Sequence, residues 1–243
     1  MYKENYSFQT PENSLTIWRY IDFTKFMDLL TNSKLYFTRS DNFEDPFEGR
    51  LRLKDYEDTK EMFSLEESTK KFYFLNCWHL SENQSDAMWK IFLNTKNGIA
   101  IKSTVGSLIQ SLEKSDDDVH IGKIYYRDYE KVTFTDLLFE IPTTIASRGG
   151  SLNQFSYKRS SFEHEKELRL YYIDKPIPHA IKNGIPREPL THKQIDINLS
   201  HLIHEIVIAP FADSWFKNLV EQIILKFGME FIVTKSNLYH FEE

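Results

Sequence analysis

Cysteine is nearly absent from this chain: Cys77 is the only one in 243 residues. That excludes internal disulfides and cysteine-rich zinc sites, and it fits a reducing compartment. Glycine and proline are sparse, eight of each, which argues against a low-complexity or disordered chain. No run approaches the roughly 20 apolar residues of a membrane span. The first eleven residues carry Lys and Glu and no apolar stretch, so no signal peptide is expected. A cytoplasmic location without membrane contact is the expectation. Basic charge is also short: 30 Lys and Arg stand against 36 Asp and Glu, so no overall positive field draws the chain onto nucleic acid.

Aromatic residues are plentiful, at 15% with 19 Phe, 13 Tyr and 4 Trp. They suit a core packed with large rings or a groove lined by them. Positions 1–14 are polar and read as a flexible arm, and 15–243 read as one domain. Leu15 to Ile21 alternates as a strand, with Arg19 unexpectedly on its apolar face. The bland explanation of Arg19 is a salt-bridged residue at the strand's end. Asp22 reads as the N-cap of a helix whose stripe is Phe23, Phe26, Met27 and Leu30. Strands follow at Lys34–Ser40, Phe72–Leu80, Gly98–Ser103, Ile121–Tyr129, Glu165–Ile173, Ile206–Ala209 and Phe231–Val233. Helices are expected within 50–71, at Ser85–Leu93, Val105–Leu112 and Phe134–Ile145, and from the Asp213 cap to Phe227. Such irregular mixing predicts an α+β fold with mixed and antiparallel sheets and packed helices.

Three places concentrate chemistry. In an extended Glu165-Lys166-Glu167-Leu168-Arg169, the residues Glu165, Glu167 and Arg169 share one face. Two carboxylates on one face repel, so one should titrate high unless a cation intervenes. That suits a general base or a charge set against a developing cation; a solvated edge-strand face is the plainer explanation. Asp41, Asp45 and Glu48 flank Pro46, where they could hold Mg²⁺ or Ca²⁺ but match no calcium loop. A rigid corner with acids capping backbone N–H groups is the plainer explanation. His79 follows Cys77-Trp78 on an apolar strand, the usual setting of a hydrogen-bonded core histidine. No dinucleotide fingerprint, P-loop or nucleophile-elbow motif is present.

The blocks Ile17-Trp18-Arg19-Tyr20, Lys34 to Arg39, Phe43 to Glu48, Cys77 to Glu82, Ala87-Met88-Trp89, Gly98 to Ile101 and Phe162 to Arg169, with Lys158 before the last, resemble a bacterial family. It is known as domain of unknown function two-nine-seven-one, and the resemblance covers nearly the whole chain from Leu15. The family name supplies no activity. A looser likeness is to ADP-ribosyltransferases, which present an Arg or His on the first strand. A later strand brings a hydroxyl or aromatic residue, and a catalytic Glu follows a mobile loop, often as Glu-x-Glu. Here Arg19, then Thr38 and Ser40, then Glu165-Lys166-Glu167 occur in that order. The acid-free, basic stretch 141–162 with Gly149-Gly150 stands where the loop would be.

The likeness implies an NAD-consuming enzyme of the kind found among toxins and phage-defence effectors, with Glu165 or Glu167 as the catalytic carboxylate. NAD would be the co-substrate, an unknown protein or nucleic acid the acceptor, and no metal is expected. Binding roles would fall to Arg19, Tyr20, Thr38, Arg39, Ser40, His79, Trp89, Lys158 and Arg169. Competing readings are a nuclease or phosphotransfer enzyme using His79, Lys158 and the glutamate pair, with Mg²⁺ at Asp41, Asp45 or Glu48, and a non-enzymatic ligand-sensing or partner-binding domain.

Overall fold

The computed structural model describes residues 1–55, 60–93, 96–140, 152–174 and 190–239. The chain is an α+β protein. The strands are β1 (Thr16–Asp22), β2 (Lys34–Arg39), β3 (Tyr73–Leu80), β4 (Gly98–Thr104), β5 (His120–Lys123), β6 (Tyr125–Arg127), β7 (Tyr157–Arg159), β8 (Glu167–Ile173), β9 (His192–Asp196), β10 (Glu205–Ile208) and β11 (Ile232–Lys235). The helices are α1 (Phe23–Asn32), α2 (Lys60–Lys70), α3 (Asp86–Phe92), α4 (Val105–Ser111), α5 (Phe134–Glu140), α6 (Leu199–Leu202) and α7 (Ser214–Lys226). Nine strands form one sheet in which β11-β10-β4-β1-β3-β2-β9 are successive neighbours, β8 pairs with β3, and β5 pairs with β8. Only β10–β11 is parallel in that sheet; β6 and β7 form a separate parallel pair.

β3 is where the sheet branches. One edge pairs with β8 from Tyr73 opposite Ile173 to His79 opposite Glu167. The other edge is shared: β2 pairs at Phe74 and Leu75, and β1 pairs at His79 and Leu80. Asn76, Cys77 and Trp78 therefore face a split between β1 and β2. The split leaves backbone groups that side chains must satisfy.

Local chemistry explains the elements. The Asp22 carboxylate accepts from the Lys25 amide 2.9 Å away and starts α1, and the left-handed Ser33 (φ 50°) ends it. Phe26, Leu29 and Leu30 are the residues α1 buries, each worth about 1.5–3 kcal/mol. α7 stops before Gly228 at φ 69°, as glycine permits.

Positions 1–14 are not a loose arm. Lys3 and Val119 exchange backbone bonds with their neighbours along the free edge of β5, and the Lys123 amide bonds the Gln9 carbonyl. Phe8 is buried and stacks on Tyr171 with centroids 4.1 Å apart. The room comes from Gly122, where an added Cβ would lie 2.9 Å from the Phe8 Cβ. An unpaired sheet edge and a ring-sized hollow recruit a segment whose polarity alone predicts fraying. The expected strand Ile121–Tyr129 breaks into β5 and β6, which belong to different sheets. The segments 141–151, with Gly149-Gly150, and 175–189 lie outside the described residues. Among the described residues no helix is long and apolar enough to cross a membrane.

Candidate functional site

The segment Glu165–Arg169 is not one extended strand. Ser160–Glu165 is a 3-10 helix, Lys166 adopts a left-handed φ of 39°, and β8 begins at Glu167. Simple alternation therefore does not place Glu165, yet the fold brings it to Glu167 through a third residue. The Lys158 ammonium bonds Glu165 Oε2 and lies 3.5 Å from Glu167 Oε2. Nor is β8 a solvated edge: it lies between β3 and β5, and its residues Glu167 to Tyr171 are all buried.

Arg169 is fully buried on the face it shares with Glu167, Cys77 and His79. Its guanidinium contacts both oxygens of Glu167, at 2.7 and 3.0 Å. It also contacts both oxygens of Glu48, one of them at 2.9 Å, and it donates to the Phe155 carbonyl at 3.0 Å. Such charge-assisted forks are strong and directional. The Tyr126 hydroxyl accepts from the Glu167 amide at 2.8 Å.

Electrostatics separate the two glutamates. Burial by itself would raise Glu167, but Arg169 and then Lys158 outweigh it and hold the carboxyl at about 2. Glu165 moves the other way: burial first, then the neighbouring Glu167 charge, raise it above its ordinary 4.5 despite Lys158. For Lys158, burial lowers the ammonium's pKa, but the two glutamates outweigh it and the net shift is upward. The cluster holds three carboxylates, Glu48, Glu165 and Glu167, against two cations, Lys158 and Arg169. One negative charge is in excess by this count; Lys158 bonds Glu165 and stands 3.5 Å from Glu167, and the Glu165 side chain is the most exposed of the three acids at 15%.

His79 closes one side. It lies opposite Glu167 in the β3–β8 register, and its Nδ1–H donates to the Glu165 backbone carbonyl at 2.6 Å. Burial lowers its pKa, so the ring is neutral at pH 7 and Nε2 carries a lone pair. Tyr20 stands edge-on to His79 at 6.2 Å and to Trp89 of α3 at 4.9 Å. Its hydroxyl accepts from the Ser85 amide, and burial pushes the phenol up to about 12. Tyr20 and Trp89 are themselves core residues. They pack behind His79 rather than offering free ring faces.

The remaining sequence candidates lie elsewhere. Because β1 pairs with β3 through Ile17–Leu80 and Trp18–His79, Arg19 projects from the sheet face opposite to Glu167. There it plugs the split: Nη1 donates to the Asn76 side-chain carbonyl at 3.0 Å and to the Cys77 backbone carbonyl at 2.6 Å. The guanidinium carbon lies 5.8 Å from the Trp78 ring centroid. No carboxylate pairs with Arg19 among the described residues, contrary to a salt-bridged strand end, and burial lowers it to about 10. Thr38 lies opposite Leu75, four residues along β3 from His79. Arg39 binds Asp41 at 2.6 Å and the Leu190 carbonyl at 2.8 Å. The buried Ser40 hydroxyl donates to the Lys70 carbonyl. None of these four reaches the glutamate pair.

The acidic turn is a corner tied down by arginines. Asp41 pairs with Arg39, Asp45 with Arg159 at 2.9 Å, and Glu48 with Arg169. Asp45 also accepts from the Phe47 amide at 3.0 Å. Three acids each held by a different arginine are poorly disposed to share one Mg²⁺. Among the described residues no cluster of three or more His, Cys, Asp or Glu side chains is placed to hold a metal.

Sequence reasoning missed Glu48 as the second partner of Arg169, and it missed Tyr126 and Asn76 altogether. Asn76 carried a signal, as a lone amide in the apolar run Phe74 to Trp78. No protein-family model matches this chain, and no curated protein matches it in sequence.

Proposed function

We propose that the chain is an ADP-ribosyltransferase-like, NAD-consuming enzyme in which Glu165 handles the proton and Glu167 is the fixed anion behind it. The observation that carries this reading is the uneven pair: Glu167 is locked by the buried Arg169, while Glu165, held by Lys158, is raised by burial and by the Glu167 charge and stays partly exposed. Pairs of titratable groups pushed apart in this way mark acid and base roles. In the reaction, the bond between nicotinamide nitrogen and ribose C1′ breaks and its electron pair leaves with neutral nicotinamide. The cation developing at C1′ faces the surplus negative charge of the cluster. An acceptor atom bonds C1′ and gives its proton to the Glu165 carboxylate. His79 fixes the backbone that carries Glu165. Arg19 takes no part with Glu167, since it lies on the other face. Membership of the family named above belongs to the same proposal, as does a role as a toxin or phage-defence effector acting on a protein or nucleic acid.

The purified chain with NAD should release nicotinamide, or add an ADP-ribose mass to an acceptor. Glu165→Gln should lower the rate about 10²–10⁴-fold while the protein stays folded. Absence of NAD binding together with no turnover across protein, RNA and DNA acceptors would sink the reading.

A further inference from the structure

Asp22 closes β1 at the opposite end from the Trp18–His79 pair. A cavity of about 450 Å³ opens there, lined by Asp22, Thr24, Phe92, Asn97, Trp215 and Phe216 among others. That volume lies in the range of small-ligand sites. Its walls come from the start of α1, the end of α3, Asn97 just before β4 and the start of α7. Trp215 is 54% exposed and Phe92 45% exposed, so ring surface here is open, unlike that of Tyr20 and Trp89. Phe216 packs edge-on against both Trp215 and Phe23, at 5.8 and 5.5 Å, and stiffens the floor.

Polar groups stand among these rings. The Thr24 hydroxyl and the half-buried Asn97 amide make no hydrogen bond to any described residue. Asp22 accepts from the Lys25 amide and pairs with the Lys25 ammonium at 3.2 Å, and each carboxylate oxygen keeps acceptor capacity. Asp213, at the N-cap of α7, makes no side-chain capping bond, and the Phe216 amide is met by the Asp213 backbone carbonyl at 3.0 Å. Open rings, an amide that both donates and accepts and has no partner among the described residues, and a carboxylate acceptor together match a flat ring bearing an amino group.

We infer that this cavity is a second binding site, separate from the glutamate cluster, for an amino-bearing planar heterocycle of the nucleobase class. The ring lies against Trp215 and Phe92, and its polar edge meets Asn97 and Asp22. Calorimetric titration of the full chain with adenosine should give saturable binding. Trp215→Ala should weaken it about tenfold or more, the worth of one lost base-on-ring contact, and Trp215→Phe should restore most of it. Asn97→Ala should weaken it as well. Glu165→Gln should leave adenosine binding unchanged, and Trp215→Ala should leave nicotinamide release from NAD unchanged, so the two sites stand or fall separately. No saturable binding up to the solubility of adenosine, or binding that survives Trp215→Ala but is lost in Glu165→Gln, would overturn the inference.

Discussion

Two arginines flank Cys77, one on each face of the sheet, Arg169 fully buried and Arg19 half-buried, and the fold treats them oppositely. Arg169 holds two carboxylates, Glu48 and Glu167, in forked contacts, and these keep its pKa well above the usual value. Among the described residues Arg19 donates only to neutral carbonyls, and burial pulls it down to about 10. The difference separates two uses of a charge. Arg169 locks three segments, the acidic corner, the turn before β7 and the start of β8. Arg19 fills the gap where β1 and β2 part from β3. The same contrast recurs in the glutamates: Glu167 belongs to the lock, and Glu165 stands outside it, held by Lys158.

The largest effect expected from breaking this contrast is at Arg169. Arg169→Met strands Glu48 and Glu167 in the core, and chemical denaturation should show a loss of about 3–5 kcal/mol. Next comes acid sensitivity. Because the folded-state pKa of Glu167 is depressed from 4.5 to about 2, its stabilisation is fully present above about pH 4.5 and disappears as pH falls through 2. Unfolding free energy measured across that window should drop by about 3 kcal/mol from this residue, and Glu167→Gln should flatten the drop. Asn76→Leu should cost less, about 1–3 kcal/mol, since it removes an acceptor from Arg19 and Trp78 and a donor to the Tyr36 carbonyl. A loss at Asn76 as large as that at Arg169 would erase the distinction between lock and plug.

Much of the scaffold was legible because local rules and tertiary packing agree. The Asp22 cap, the Phe26–Leu30 stripe and the apolar β3 all follow from periodicity and capping. The failures share a cause, which is that a neighbour distant in sequence overrides the local signal. Polar residues 1–10 dock because β5 has an open edge and Gly122 leaves room for Phe8. Glu165 leaves the strand because Lys166 turns left-handed, yet Lys158 restores its proximity to Glu167. Arg169 resembles a solvent-facing residue until Glu48, 121 positions away, arrives to neutralise it. Periodicity describes which face a side chain takes, and it is silent on what waits there.

The central claim is that two glutamates two positions apart are shifted in opposite directions from the ordinary carboxyl value. Carbon-detected NMR titration of the side-chain carboxyls, assigned with Glu165→Gln and Glu167→Gln, measures this directly. The structure predicts that the Glu165 resonance titrates above 4.5 and the Glu167 resonance near 2, with Glu165 moving down once Glu167 is replaced. Two carboxyls titrating together near 4.5, or the reverse order, would contradict the account.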